Sequence, residues 1–113
     1  MKKVSILVPE SSVMQAIADP QYLFTAVNQF LLSAGKAPLF DVELVGMKKE
    51  VQLSNGLFSV HTDRLLKEVK KTDLVFIPAL FGDMSVALEK NKAVIPWLQQ
   101  QYENGAELAS LCV

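Results

Sequence analysis

One cysteine and one histidine are the side chains of this 113-residue sequence best suited to nucleophilic chemistry. Cys112 ends an apolar run, where a strand of a parallel sheet is expected to end and where ligands bind in open α/β sheets. A thiolate there would be a nucleophile if the N-terminus of a following helix stabilised it. The alternative, which position alone favours, is that Cys112 is a small buried apolar side chain.

A cysteine nucleophile needs a base, and His61 is the only histidine of the sequence. His61 follows a predicted hairpin and precedes a predicted helix cap, and nothing in the sequence brings it to Cys112. We therefore expect His61 to be a surface or loop residue. A single cysteine excludes an intrachain disulfide and a cysteine-rich zinc site, and we predict neither a metal nor a cofactor.

Two further features could face a ligand at the same sheet edge. Glu10 follows the first predicted strand, and its carboxylate either overhangs the edge or is solvated. The loop 79–83 follows a later strand and leads into a helix, so its backbone N–H groups could bind an anion. Leu80 and Phe81 line a pocket, a subunit contact or the core. The predicted ligand contacts are Glu10, Ala79, Leu80, Phe81, Gly82 and Cys112.

Short apolar runs bounded by Pro or Gly are typical of buried parallel strands. They predict strands over 4–8, 39–46, 73–77 and 107–113. The first run is too short for the apolar core of a signal peptide, which needs roughly 7 to 15 residues. Asn55-Gly56 between alternating residues predicts a β-hairpin over 50–61.

Capping residues predict helices between these strands. Ser11 or Ser12 could cap a short turn over 13–18, and Asp19 could cap a helix that begins at Pro20. That helix would end before Gly35. Its apolar stripe would contain Leu23, Val27, Phe30, Leu31 and Ala34.

Three later helices are predicted in the same way. Thr62 or Asp63 could cap a helix that carries Leu65, Leu66 and Val69 and has a solvated charged face. Asp83 could cap a helix over 84–90. Asn91 could cap the last helix, which carries Val94, Ile95, Trp97, Leu98 and Tyr102.

Strands that alternate with helices predict a parallel-sheet, three-layer α/β sandwich of flavodoxin-like type, with the hairpin as an addition. The length allows one domain at most. Half of the residues are hydrophobic and the net charge is −1, which argues against disorder and against non-specific nucleic-acid binding by this chain. No segment has the roughly 20 apolar residues that span a bilayer, and we expect a cytoplasmic protein.

Several segments resemble the ThiJ/PfpI superfamily, which has the class I glutamine-amidotransferase-like fold. They are the stretches 3–9 and 73–78, the Trp97-Leu98 pair and the stretch 105–112, of which the last is the most specific. The resemblance covers the whole chain and is greatest to the N-terminal domain of AraC-type transcriptional regulators. It implies that Cys112 occupies the position of the nucleophile elbow and that residues 1–113 are the first portion of a longer domain.

Two departures from the superfamily pattern concern catalysis. Enzymatic members place a carboxylate after the first strand, and this sequence has Gln15-Ala16 at the matching position. The usual Gly-Gly of the oxyanion-hole loop is Ala79-Leu80 here. The resemblance therefore favours a regulator that has kept the fold as a ligand pocket, rather than an enzyme.

Three functions remain open at this stage. The first is a non-enzymatic, ligand-sensing and dimerising domain of an AraC-type regulator, which contacts DNA only through a C-terminal region absent from this chain. The second is a hydrolase, hydratase or glyoxalase that uses Cys112. The third is an interaction protein with an inert Cys112. We expect a homodimer, a small-molecule effector and self-association that buries the surface near Leu108, Leu111 and Val113.

Overall fold

The computed structural model describes residues 1–111 of the chain. The strands are β1 (Lys2–Leu7), β2 (Phe40–Gly46), β3 (Glu50–Leu53), β4 (Phe58–His61), β5 (Arg64–Leu65), β6 (Leu74–Ile77) and β7 (Glu107–Ser110). The α-helices are α1 (Gln15–Ser33), α2 (Met84–Lys90) and α3 (Val94–Glu103), and one turn of 3₁₀-helix covers Leu66–Glu68. None of these helices is long and apolar enough to span a membrane.

Five strands form a parallel sheet in the order β5-β2-β1-β6-β7, and β3 and β4 form a separate antiparallel pair. Alternate residues of the central strand point to opposite faces. Ile6 packs against α1 and the hairpin, whereas Leu7 packs with Trp97 of α3. The sheet therefore lies between two layers, and the predicted α/β sandwich with its added hairpin is confirmed.

Helix α1 is continuous, so the predicted interruption at Asp19-Pro20 is wrong. Pro20 lies in the second turn of the helix, although it lacks the N–H that would bond to the Ala16 carbonyl. The preceding turn is closed by N–H groups at positions 16–18, which donate to Val13 and Met14 carbonyls. Pro20 is buried, so packing outweighs the lost hydrogen bond. Neither Ser11 nor Ser12 caps the helix.

The apolar stripe predicted for α1 is rotated away from the face that is actually buried. Leu23 and Phe30 are 61% and 77% exposed. The face that contacts the sheet instead contains Ile17, Pro20 and Phe24, and the Phe24 ring meets the Phe40 and Phe76 rings edge to face at centroid distances of 4.9 and 5.7 Å. The helix is apolar on more than one side, and the sequence alone does not show which side meets the sheet.

The hairpin is present as predicted, with a four-residue connection, 54–57, rather than a two-residue turn. Ser54, Asn55 and Gly56 all adopt positive φ angles. Asn and Gly are suited to this conformation, which explains why the pair marks the connection. Val51, Leu53 and Val60 are buried against the sheet, and this packing holds the hairpin tip beside the carboxyl ends of the strands.

The helix predicted after Thr62 or Asp63 is wrong. Residues 64–65 form the edge strand β5, and only a single 3₁₀ turn follows. Asp63 pairs with Leu44 instead of capping a helix: its N–H donates to the Leu44 carbonyl, and its Oδ2 accepts the Leu44 N–H at 2.7 Å. Pairing with β2 therefore replaces the local helix.

The last two helices follow the prediction, except for one cap. Asp83 caps α2 by accepting the N–H groups of Ser85 and Val86. Asn91 does not cap α3 with its side chain, because α3 begins at Val94 with Ala93 as the preceding residue. The Asn91 amide bonds elsewhere, at the candidate site. The fourth strand is confirmed as β7 over Glu107–Ser110.

Candidate functional site

The carboxyl ends of β1 and β6 lie side by side in the middle of the sheet. Along the chain, β2 is added on one side of β1 and β6 on the other, so the strand order reverses between β1 and β6. Ligands of open α/β sheets bind in the crevice at such a reversal. The segments that leave the two strands here, 8–13 and 78–83, form the base of the candidate site.

Hydrogen bonds join these two segments to each other. The Val13 N–H donates to the Ala79 carbonyl at 2.9 Å, and the Phe81 N–H donates to the Ser11 carbonyl at 2.7 Å, which places Ser12 opposite Leu80. Ser12 is buried, and its hydroxyl donates to the Pro9 carbonyl. Ser11 has a φ of 66°, a left-handed conformation that costs about 1 kcal/mol for a residue with a Cβ. The hydrogen bonds of Ser11, Ser12 and Val13 fix the turn and offset the cost of the Ser11 conformation.

Glu10 is fixed by two residues that are distant in the sequence. Its backbone N–H donates to Asn91 Oδ1 at 2.8 Å, and its carbonyl accepts from Asn91 Nδ2 at 2.9 Å. Asn91 is buried and also donates to the Ala87 carbonyl of α2 at 2.8 Å. The Glu10 carboxylate is held by Lys48, with Nζ and Oε1 2.8 Å apart. Asn91 thus ties the end of α2 to the turn after β1, and Lys48 neutralises the Glu10 charge.

An open cleft of about 900 Å³ lies above these segments. Its walls are the turn after β1, the first residues of α1, the hairpin tip, and one face of α2 with the loop before it. The lining residues are Glu10, Ser11, Ser12, Val13, Met14, Gln15, Gln52, Leu53, Ser54, Asn55, Gly56, Phe81, Gly82, Asp83, Val86, Ala87 and Lys90. The volume is typical of a small-molecule site, and apolar and hydrogen-bonding groups are mixed along the walls.

Only some of the predicted ligand contacts line this cleft. Glu10, Phe81 and Gly82 line it, whereas Ala79 and Leu80 do not and instead pair through their backbone with the turn after β1. The Phe81 N–H is already bonded to Ser11, which leaves it unsuited to binding an anion. Cys112 lies outside the described residues.

His61 lies at the end of β4 and is exposed, 3.8 Å from the exposed Glu50. This is the surface position expected for it. Within residues 1–111, no three His, Cys, Asp or Glu side chains are grouped closely enough to hold a metal ion.

Several residues of the cleft were not predicted. The hairpin tip contributes Gln52, Ser54 and Asn55, and α2 contributes Val86 and Lys90. A weak signal for α2 exists, because Asp83, Val86, Ala87 and Lys90 have the i, i+3, i+4, i+7 spacing of one helix face. The hairpin offers no such signal, since its approach to the sheet edge depends on buried contacts made elsewhere.

The Asp83 carboxylate has a lowered pKa. The Ser85 hydroxyl donates to Oδ1 at 2.7 Å and is the largest cause, and the Val86 and Ser85 N–H groups add to it. A carboxylate whose pKa is depressed on folding stabilises the protein above its ordinary pKa, and this contribution is lost as the pH falls through the folded value.

We therefore expect Asp83→Asn, which retains a capping oxygen, to reduce the loss of stability between neutral and strongly acidic pH. Urea unfolding of both proteins across that range measures the effect. Asp41→Asn, at an exposed strand position, is the matched control. An unchanged pH dependence in Asp83→Asn would contradict the assignment.

Sequence-level comparison finds no match, either to protein-family models or among curated proteins. Solved structures do match. A candidate transcriptional regulator from Vibrio parahaemolyticus superimposes with a TM-score of 0.73 at 17% identity, over 96% of this chain and 54% of the other. A DJ-1 superfamily protein from Agrobacterium tumefaciens gives 0.66 at 14% identity, over 99% of this chain and 54% of its own.

An AraC family transcriptional regulator from Pseudomonas putida gives a TM-score of 0.64 at 15% identity, over 97% of this chain and 55% of the other. The chain thus spans about half the length of the solved structures it matches. At these identities the likeness establishes the fold alone. The superfamily resemblance seen in the sequence is borne out at that level, and the chain has the fold of the DJ-1/ThiJ/PfpI superfamily.

Proposed function

We propose that this chain is the N-terminal, ligand-sensing and dimerising part of an AraC-type transcriptional regulator, and that it acts by binding rather than by catalysis. The observation that carries the proposal is the cleft of about 900 Å³ at the strand-order reversal, in a fold shared with regulator proteins of two bacteria. DNA contacts would be made by a region that is not part of this chain, in keeping with a net charge of −1.

Two features of the cleft support binding over catalysis. Gln15-Ala16 is the position where the resemblance places the acid of enzymatic members, and Gln15, which is uncharged, lines the cleft. The loop after β6 uses its Phe81 N–H and Ala79 carbonyl to bond to the turn after β1. Because these backbone groups are already bonded, the loop has fewer N–H donors that could stabilise an oxyanion.

A ligand in this cleft would touch elements that are otherwise connected by few contacts. The hairpin tip forms one wall and α2 forms another, while Asn91 joins α2 to the turn after β1. A ligand that contacts both walls would favour one spacing of them over others, which is the differential interaction that a sensor requires.

Dimerisation is proposed from apolar surface that the described residues leave open. Tyr22, Leu23 and Phe30 are exposed on α1, and Leu108 and Leu111 are about two-fifths exposed near β7. Exposed apolar side chains that group on one element are typical of interaction surfaces. Sedimentation equilibrium of the chain tests the point, and a monomer at micromolar concentration would contradict it.

The ligand-sensing proposal predicts that filling the cleft abolishes binding. Val86 lines the cleft and is 49% exposed, so Val86→Trp adds bulk there without disturbing the core. We expect amide NMR signals of the lining residues to shift when the ¹⁵N-labelled chain is titrated with a mixture of small metabolites. Val86→Trp should weaken that binding roughly tenfold or more, through steric exclusion.

Leu88→Trp is the matched control, because Leu88 lies on the same helix, is 55% exposed and does not line the cleft. Its titration should be unchanged. If no compound shifts the signals of the lining residues, or if both tryptophan variants behave alike, the cleft is not the sensing site.

A further inference from the structure

The charges on the cleft wall formed by α2 lie at its two ends. Asp83 precedes the first turn of the helix and Lys90 is its last residue. Both line the cleft, and Val86 and Ala87 line it between them. The two charged positions are seven apart in the chain, which corresponds to about 10 Å along the helix axis. The wall therefore presents a carboxylate, an apolar middle and an ammonium group, in that order.

These two charges are the ones that the cleft leaves without a partner of opposite sign. Glu10 is the third charged residue of the lining, and Lys48 already neutralises it at 2.8 Å. Within residues 1–111, neither Asp83 nor Lys90 takes part in an ion pair. The hydrogen bonds to Asp83 from Ser85 and Val86 all reach Oδ1, so Oδ2 is free to meet a ligand.

The wall formed by the hairpin tip is uncharged. The hairpin tip contributes the side chains of Gln52, Ser54 and Asn55, which donate and accept hydrogen bonds. A ligand that satisfied both walls would carry a positive group near Asp83, a negative group near Lys90 and a middle part that is apolar or carries amides.

We propose that the cleft binds a linear zwitterion whose ammonium and carboxylate groups lie about 10 Å apart, as in an extended tripeptide with free termini. The proposal rests on the ligand-sensing function and specifies the chemistry of its ligand. A ω-amino acid of equal length shares that charge pattern and differs only in lacking amides.

The test uses trialanine, doubly blocked N-acetyl-trialanine amide, and trialanine amide, which retains only the amine. Binding to the ¹⁵N-labelled chain is followed through the amide signals of the lining residues. We expect the blocked peptide to bind roughly fivefold to tenfold more weakly than trialanine, since Asp83 and Lys90 are both exposed and each ion pair contributes about a few-fold in affinity. Equal binding of the free and blocked peptides would overturn the proposal.

Charge variants assign the two ends of the ligand. Lys90→Gln should weaken trialanine roughly threefold to fivefold and leave trialanine amide unaffected, because the amide lacks the carboxylate. Asp83→Asn, which keeps a capping oxygen, should weaken both. Lys92→Gln is the control, since Lys92 lies outside the cleft and 3.7 Å from Glu89. A Lys90→Gln effect of equal size on acid and amide would contradict the assignment.

The eight-carbon ω-amino acid 8-aminooctanoate distinguishes a peptide ligand from a linear amino acid that has the same two end charges. Binding equal to that of trialanine means that the charges and the apolar wall suffice, whereas weaker binding means that peptide amides contact the hairpin tip. If trialanine has no effect while neutral compounds of the metabolite mixture shift the lining signals, the zwitterion proposal is wrong and the sensing function stands. If no compound shifts them, both are wrong.

Discussion

Asn91→Leu should lower the free energy of unfolding by about 2–4 kcal/mol. The Asn91 amide satisfies both the N–H and the carbonyl of Glu10, at 2.8 and 2.9 Å, in a buried position. Leucine has a similar volume and can make neither bond. The Ala87 carbonyl would keep its bond from the Asn91 backbone N–H, so the main cost comes from the two unpaired groups of Glu10.

Urea unfolding followed by circular dichroism measures this loss. Asn104→Leu is the matched control, because Asn104 is the exposed C-cap residue of α3, and it should change stability by less than about 0.5 kcal/mol. A second variant, Asn91→Asp, keeps the acceptor for the Glu10 N–H but places a carboxylate oxygen against the Glu10 and Ala87 carbonyls. It should be as damaging as leucine, and a stability equal to that of the unchanged protein in either variant would contradict the assigned role.

Removing the Asn91 amide should also change the structure of the cleft. Glu10 and Ala87 both line it, and Asn91 is the side chain that bonds to both backbones. We therefore expect the amide signals of the lining residues to be perturbed in Asn91→Leu more than those of β4, none of whose residues lines the cleft. This distinguishes a residue that positions the cleft from one that merely contributes to stability.

The sheet was predictable from the sequence because its strands are local patterns. Val4–Val8 and Leu74–Ile77 are apolar runs too short to be helices and are bounded by proline, which suits strands covered on both faces. The structure places all of the first run except Val8 in β1 and the second run in β6, at the centre of the sheet. A strand that is buried on both faces has apolar residues at nearly every position, and this pattern is visible in the sequence.

The errors arose where a tertiary contact outweighs a local preference. Asp63 has the type and position of a helix cap, yet its backbone and side chain pair with Leu44 of β2, and a strand replaces the helix. Pro20 is favoured at the start of a helix, yet the buried packing of α1 carries it into the second turn. For Asp63 the deciding partner is 19 residues away in the sequence.

The candidate site was predictable in position but not in composition. The rule that ligands bind at the carboxyl ends of parallel strands located Glu10 and the loop after β6 correctly at one edge. Asn91, Lys48 and the hairpin tip reach that edge from elsewhere in the fold, through contacts with sequence separations as large as 81 residues. No local pattern encodes such contacts.

Trp97→Ala should be the most damaging single change, with a loss of about 3–5 kcal/mol in the free energy of unfolding. Trp97 is 8% exposed and packs against Leu7 and Val45 on the face of the sheet opposite α1. Its indole N–H donates to the Val69 carbonyl at 3.1 Å. Alanine would leave a cavity there and remove this bond from the segment that leads into β6.

Trp97→Phe separates the two contributions. Phenylalanine keeps most of the apolar contact but cannot donate to Val69, whose carbonyl retains only the longer bond from Gln101 Nε2 at 3.4 Å. A loss of about 1–2 kcal/mol is expected. Ile95→Ala, on the same helix and 56% exposed, should cost less than about 1 kcal/mol. Similar losses for Trp97→Ala and Ile95→Ala would mean that α3 does not cover the sheet.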